Sequence, residues 1–271
     1  MNEAALRGLA EDWRLKGRRA VVVSVDQAQG SAPREAGARL LVAEDGALAG
    51  TLGGGHLELQ AIAAAREALQ RNEPLSVRVE RFALGPSLGQ CCGGAMVLRH
   101  APLDAAALAA WPEPAVRFVL QLHGAGHVGA ALVRALADID CRIQWVDGRE
   151  AVFPTDLPAH VQPLRSDAPE DEVADAPAGA AVLVMTHSHD LDLRIVQAAL
   201  QRGDLGYVGL IGSATKRARF ERRLQARGLD TGRLVCPVGV PGLEGKEPAV
   251  IALGVAVQLL QRFSPACPPS T

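Results

Sequence analysis

The stretch from Val116 to Asp147 constrains the fold of this chain more than any other. An apolar run, Val116 to Leu122, leads directly into His123-Gly124-Ala125-Gly126-His127-Val128-Gly129, and Ala130 to Leu136 follows with helical composition. Cys141 to Val146 reads as a second strand that ends at Asp147, 18 positions after Gly129. Gly-x-Gly-x-x-Gly alone is a weak signal; between a strand and a helix, with an acid at this distance, it marks a nucleotide-type βαβ unit. Each glycine then has a physical task. Gly124 permits the tight turn, Gly126 lets a phosphate approach the backbone, and Gly129 lets the helix pack close to the strand. The helix N-terminus offers free N–H groups to an anion. Asp147 stands where a ribose hydroxyl, or another polyol-like group, is gripped.

The chain beyond Asp147 continues the pattern. A loop-rich stretch to Gly179 contains a short candidate strand, Val161 to Leu164, and Ala180 to Met185 reads as a buried parallel strand. That strand ends in Thr186-His187-Ser188-His189-Asp190, followed by a helix over Leu191 to Arg202. Tyr207 to Ile211 is another strand, ending in Gly212-Ser213, and Lys216 to Arg227 is a basic helix. Leu234 to Val238 reads as a short strand and Pro248 to Arg262 as a closing helix. In a parallel sheet ligands bind beyond the carboxyl ends of the strands, so the glycine loop, Thr186 with His187, and Gly212 with Ser213 are expected at one edge. His187 and His189 have no third ligand at obvious spacing, which favours loop-shaping hydrogen bonds over a zinc site. Lys216, Arg217, Arg219, Arg222 and Arg223 suit an anion, but a run of this kind is more often a solvated helix face.

The first part of the chain has a different pattern. Glu3 to Lys16 has the spacing of a short amphipathic helix. Arg19 to Asp26 holds a buried strand, a turn-rich loop begins at Gln29, and Ala38 to Val42 with Ala47 to Thr51 form a hairpin around Asp45-Gly46. Gly53-Gly54-Gly55-His56 opens a helix to Gln70 with Glu58 in its first turn. Leu75 to Phe82 and Ala95 to Arg99 read as strands on either side of a loop that carries Cys91-Cys92-Gly93-Gly94. Ala101 to Pro114 reads as a helix ending in a linker. The expected architecture is α/β, with a Rossmann-like parallel sheet over residues 113–271 and a smaller α+β domain over residues 1–112.

Net charge is −2 with no basic block, and aromatics make up 3% of the chain. The charge speaks against nucleic acid and against an anionic membrane surface, and the low aromatic content against a base-stacking surface. No apolar run reaches the length of a membrane span, and the N-terminal residues lack the pattern of a signal peptide. Five scattered cysteines point to free thiols and a cytoplasmic setting.

Together the motifs resemble a known family. Ser31-Ala32-Pro33-Arg34-Glu35-Ala36-Gly37, Gly50 to Glu58 and Leu88 to Gly94 match its first domain. Gly124 to Gly129, Thr186 to Asp190 and Tyr207 to Ser213 match its second. The pattern is similar to that of the xanthine dehydrogenase accessory proteins, the XdhC/CoxI family. Other branches of that family carry Cys where this chain has His56, which fits the xanthine dehydrogenase branch. The resemblance implies a chaperone without catalytic residues of its own. Such a protein holds the molybdenum cofactor (molybdopterin) while a cysteine desulfurase installs a sulfido ligand. It then delivers the cofactor to the molybdenum subunit of apo-xanthine dehydrogenase. A homodimer is implied by the family. Carried onto this chain, the cofactor-binding set is Gly54, Gly55, His56, Glu58, Gly124, Gly126, His127, Gly129, Asp147, Thr186, His187, Gly212 and Ser213. Molybdenum and sulfur favour soft ligands, so Cys91 or Cys92 is expected near the metal as a molybdenum or sulfur contact. Two competing readings remain: an NAD(P)-dependent oxidoreductase, which rests on the same glycine loop and Asp147, and a regulatory module in which the nucleotide fold senses a ligand and the first domain binds a partner.

Overall fold

The computed structural model describes residues 1–71, 73–84, 94–150 and 152–264. It divides into two units, Met1–Pro114 and Ala115–Thr271.

The first unit is built on a five-stranded antiparallel sheet. Its strands are β1 (Ala20–Gln29), β2 (Arg39–Ala43), β3 (Leu48–Gly50), β4 (Arg78–Ala83) and β5 (Ala95–Pro102), in the order β3-β2-β1-β5-β4. Its helices are α1 (Glu3–Leu15), α2 (Gly55–Gln70) and α3 (Ala105–Ala109). The unbroken apolar run at the start of β1 follows from burial on both faces. Val21, Val23 and Val25 pack with Leu57, Ala61 and Leu69 of α2, while Ala20 and Val22 pack with Leu6 and Trp13 of α1. Each fully buried valine or leucine among them contributes roughly 1.5–3 kcal/mol.

Several boundaries differ from the sequence reading. β1 runs through to Gln29, because Gln27, Ala28 and Gln29 pair with Val97, Met96 and Ala95 beyond a register shift. β5 likewise continues to Pro102, which lies opposite Val21, and α3 is only five residues long. Of the expected helix over Ala101 to Pro114, only Ala105–Ala109 is helical; sheet pairing takes Ala101 and Pro102 into β5, and the rest is irregular chain.

The second unit is a six-stranded, all-parallel sheet. Its strands are β6 (Val119–His123), β7 (Arg142–Asp147), β8 (Val161–Arg165), β9 (Ala181–Val184), β10 (Tyr207–Leu210) and β11 (Leu234–Val235). The spatial order β8-β7-β6-β9-β10-β11 is the doubly wound Rossmann order. Helices α4 (His127–Ala135) and α7 (Pro248–Phe263) pack against one face of the sheet. Helices α5 (His189–Gln201) and α6 (Ala214–Gln225) pack against the other. A 3-10 turn, Asp171–Asp175, stands between β8 and β9. Pro163 sits in β8 opposite Trp145; β8 pairs on one side only, where a missing N–H is tolerated. The strand order reverses between β6 and β9, so the crevice for a ligand opens beyond their carboxyl ends. No helix among the described residues is long and apolar enough to cross a membrane.

Candidate functional site

The glycine loop is built by two close approaches. Gly124 has φ +113°, and a Cβ placed there meets the backbone O of Met185 at 2.4 Å. The residue therefore serves both the turn and the contact between the ends of β6 and β9. A Cβ on Gly129 meets the backbone O of Gly124 at 2.4 Å, and the Trp145 indole donates to that same oxygen at 3.1 Å. Gly126 is different. It is the N-cap of α4, has φ −84°, and a Cβ there meets nothing within 4 Å. The N-termini of α5 and α6 carry serine caps, Ser188 and Ser213, whose hydroxyls accept from Leu191 N–H and Lys216 N–H. The N-terminus of α4 has no side-chain cap. Gly126 and His127 at that terminus are exposed, and the first N–H groups of a helix lack intrahelical acceptors, an arrangement that accommodates an anionic oxygen.

A crevice of about 280 Å³ extends from this loop across the ends of β6, β7, β8 and β9. Gly124, Asp147, Arg149, Asp167, Thr186 and Arg194 are among its lining residues, together with His187. Gly124, Asp147, Thr186 and His187 are thereby brought to one place, next to Gly126 and His127.

Asp147 is almost fully buried, and its carboxylate is engaged. Oδ2 accepts from Ala125 N–H at 2.7 Å and from Arg149 Nη2 at 2.8 Å. Oδ1 accepts from Arg149 N–H at 3.0 Å and Arg149 Nε at 2.9 Å. Burial opposes its ionisation, but these hydrogen bonds from Arg149 and Ala125 outweigh it and hold the pKa down to about 2. The carboxylate thus ties the end of β7 to the glycine loop.

Thr186 is fixed by Asp192, an acid in the first turn of α5 that is wholly buried. Asp192 Oδ1 accepts from Thr186 N–H at 3.0 Å and Thr186 Oγ1 at 2.7 Å. Its Oδ2 accepts from Lys216 Nζ at 2.6 Å, and Lys216 also donates to Ile211 O at 2.9 Å. Lys216 therefore belongs to a buried ion pair that joins the loops after β9 and β10. It does not belong to the exposed face its basic neighbours suggested. Gly212 lies against the Lys216 stem, and its Cβ would meet Lys216 Cδ at 2.5 Å. Gly212 and Ser213 thus connect to the crevice through Lys216 and Asp192 without lining it.

Beneath the loop, His123 is fully buried and desolvation lowers its pKa to about 3. Its Nε2 lies 2.8 Å from Gln121 Oε1, and Nδ1 has no hydrogen-bond partner. Because Gln121 Oε1 accepts, the ring proton is on Nε2 and Nδ1 is an acceptor.

In the first unit, Gly53, Gly54 and Gly55 all have positive φ. Glu58 Oε2 accepts from Thr51 Oγ1 at 2.6 Å, Leu52 N–H at 2.7 Å and Gly54 N–H at 3.1 Å. Burial raises the Glu58 pKa, but Thr51 and these N–H groups lower it further, for a net depression. The loop thus carries its own anion, which closes the turn around the Glu58 carboxylate. His56 is exposed, with Nε2 3.1 Å from Gln60 Nε2. A Cβ on Gly53 would meet Pro33 Cβ at 2.6 Å, and one on Gly94 would meet Gln29 O at 2.2 Å. The Ser31 to Arg34 loop therefore packs against both glycine segments. Cys91 and Cys92 lie outside the described residues. Among the described residues no group of three or more His, Cys, Asp and Glu is placed to hold a metal ion.

The residues that sequence reasoning missed are Arg149, Asp167, Asp192 and Arg194. Arg149 was signalled only by its place two residues after the strand-end acid.

Comparison with known proteins agrees with this organisation. Residues 120–259 match the model of the XdhC Rossmann domain, and residues 13–82 match that of the XdhC and CoxI family. The Escherichia coli K12 protein YqeB, itself uncharacterized, is 29% identical over 250 residues, covering 89% of this chain. The chain spans 43% of the length of that relative. A crystal structure described as a xanthine dehydrogenase from Bacillus halodurans has the same fold. Its TM-score is 0.77 at 20% sequence identity, over 100% of this chain and 98% of that one.

Proposed function

The chain belongs to the XdhC family, and from that premise we propose that it is a molybdenum cofactor chaperone. It would hold molybdopterin cofactor while a cysteine desulfurase supplies sulfur, and deliver it to the molybdenum subunit of apo-xanthine dehydrogenase, acting as a cytoplasmic homodimer. The observation that carries this reading is the match of family models to both units of the chain.

The site is compatible with the cofactor's anionic end. The uncapped start of α4 and the open space over Gly126 suit its terminal phosphate. His127 and His187 are exposed beside that point and can hydrogen-bond polar groups of the pterin. The cofactor supplies a molybdenum centre that accepts sulfur; the residues of this chain supply binding and orientation. Asp147 and Asp192 act one step away, by fixing the glycine loop and Thr186.

Activation of apo-xanthine dehydrogenase tests the proposal. With molybdenum cofactor and a cysteine desulfurase present, adding this protein should raise the activated fraction several-fold. Equal activation with and without it would remove the chaperone reading.

A further inference from the structure

Helix α7 is apolar on its outer side as well as its inner one. Ala252, Val255, Ala256 and Leu259 pack into the core of the parallel sheet. The opposite side carries Leu253 at 57% exposure and Val257 at 42%, with Ala249 exposed and Val250 and Leu260 half-buried beside them. No charged residue occurs from Pro248 to Gln261. A surface helix ordinarily turns charged and polar residues to water, and a helix apolar all round belongs in an interior. Leu243, 48% exposed, widens the patch: a Cβ on Gly254 would meet its Cδ2 at 3.0 Å, so it lies against the flank of the helix. A contiguous exposed apolar patch marks an interaction surface.

The spacing fits one kind of occupant. Val250, Leu253, Val257 and Leu260 recur at intervals of three, four and three, the spacing of a seam that packs against another helix of the same kind. Electrostatics sets the direction. The N-terminus of α7 has no side-chain cap, and Lys246 is exposed just ahead of it. A helix N-terminus is partly positive and its C-terminus partly negative. Antiparallel pairing about a two-fold axis brings the N-terminal end of each helix, with its Lys246, to the C-terminal end of the other. Parallel pairing sets Lys246 against its own copy. We infer that this face is covered by α7 of a second copy of this chain, running antiparallel, with Leu253 against the second copy's Val257 and Val250 against its Leu260. The contact is isologous, so each pairing occurs twice. The inference rests on the homodimer of the proposed function and names its contact.

Sedimentation equilibrium of the full chain tests it. The wild type should be dimeric in the micromolar range. Leu253→Glu and Val257→Lys each set a charge against an apolar side chain of the seam, and each should weaken the dimer at least about tenfold. Both positions are exposed in the single chain, so the fold should be kept, which circular dichroism checks. An equimolar mixture of the two variants should recover dimer, because antiparallel packing sets the introduced carboxylate against the introduced ammonium. A monomeric wild type would overturn this interface and the homodimer together, and leave the activation assay to decide the chaperone reading. A wild-type dimer that both variants leave intact, or a mixture that stays monomeric, would overturn the interface alone. Should a charged variant fail to fold, Leu253→Ser serves instead: it should weaken the dimer in the same direction, and an unchanged dissociation constant overturns the inference.

Discussion

At the scale of single residues, two glycines of one motif separate fold from ligand. Gly124 combines φ +113° with a Cβ direction that runs into Met185 O. Gly124→Ala should therefore lower stability by at least about 2 kcal/mol in urea unfolding. Gly126 has an ordinary backbone and open space, so Gly126→Ala should cost no more than about 1 kcal/mol, the range of N-cap changes. Equal losses at the two sites would contradict this division. Asp147 gives a pH prediction. Its folded pKa of about 2 lies below the unfolded value of about 3.9. Its contribution is complete above the unfolded value and is lost as pH falls from about 4 through 2, amounting to about 2–3 kcal/mol. Asp147→Asn should flatten that part of the stability profile, and a profile that keeps its full slope there would count against the engaged carboxylate. Neither Asp147's partners nor Arg149's role could be read from the sequence. The spacing places an acid at the strand end, but which way its oxygens turn depends on a side chain two residues later.

At the scale of elements, the loops after β9 and β10 are joined by the Asp192–Lys216 pair, whose side chains are 0% and 12% exposed. Lys216→Met strands a buried carboxylate and should cost about 3–5 kcal/mol. Asp192→Asn combined with Lys216→Met should cost clearly less than the sum of the single changes, because the second change removes the charge the first leaves unpaired. Additive losses in that double-mutant cycle would mean the pair is not coupled. The sequence showed these elements but not their link. The apolar runs that became β9 and β10 stand out because strands of a sheet covered on both faces need no polar alternation. An acid in the first turn of a helix looks solvated, and a lysine at the head of a basic run looks like its neighbours. Tertiary packing alone distinguishes them. The same holds for β5, whose extension to Pro102 depends on pairing with a strand some eighty residues earlier.

At the scale of the whole molecule, the chain joins an antiparallel sheet covered on both faces to a parallel sheet in Rossmann order. The parallel sheet and its crevice edge were legible because a strand, three glycines and a helix in series allow few other folds. The chemistry of the first unit was less so, since the glycine run before α2 encloses Glu58. The central claim is that this chain holds the molybdenum cofactor, with its phosphate end at the start of α4. Titration of the purified protein with molybdenum cofactor, read by fluorescence quenching, for wild type and Gly126→Val, tests it most directly. The account predicts saturable binding by the wild type and affinity at least about tenfold weaker in the variant, whose added methyls fill the space a phosphate would take. Absence of binding by the wild type, or equal affinity in a folded Gly126→Val, would contradict it.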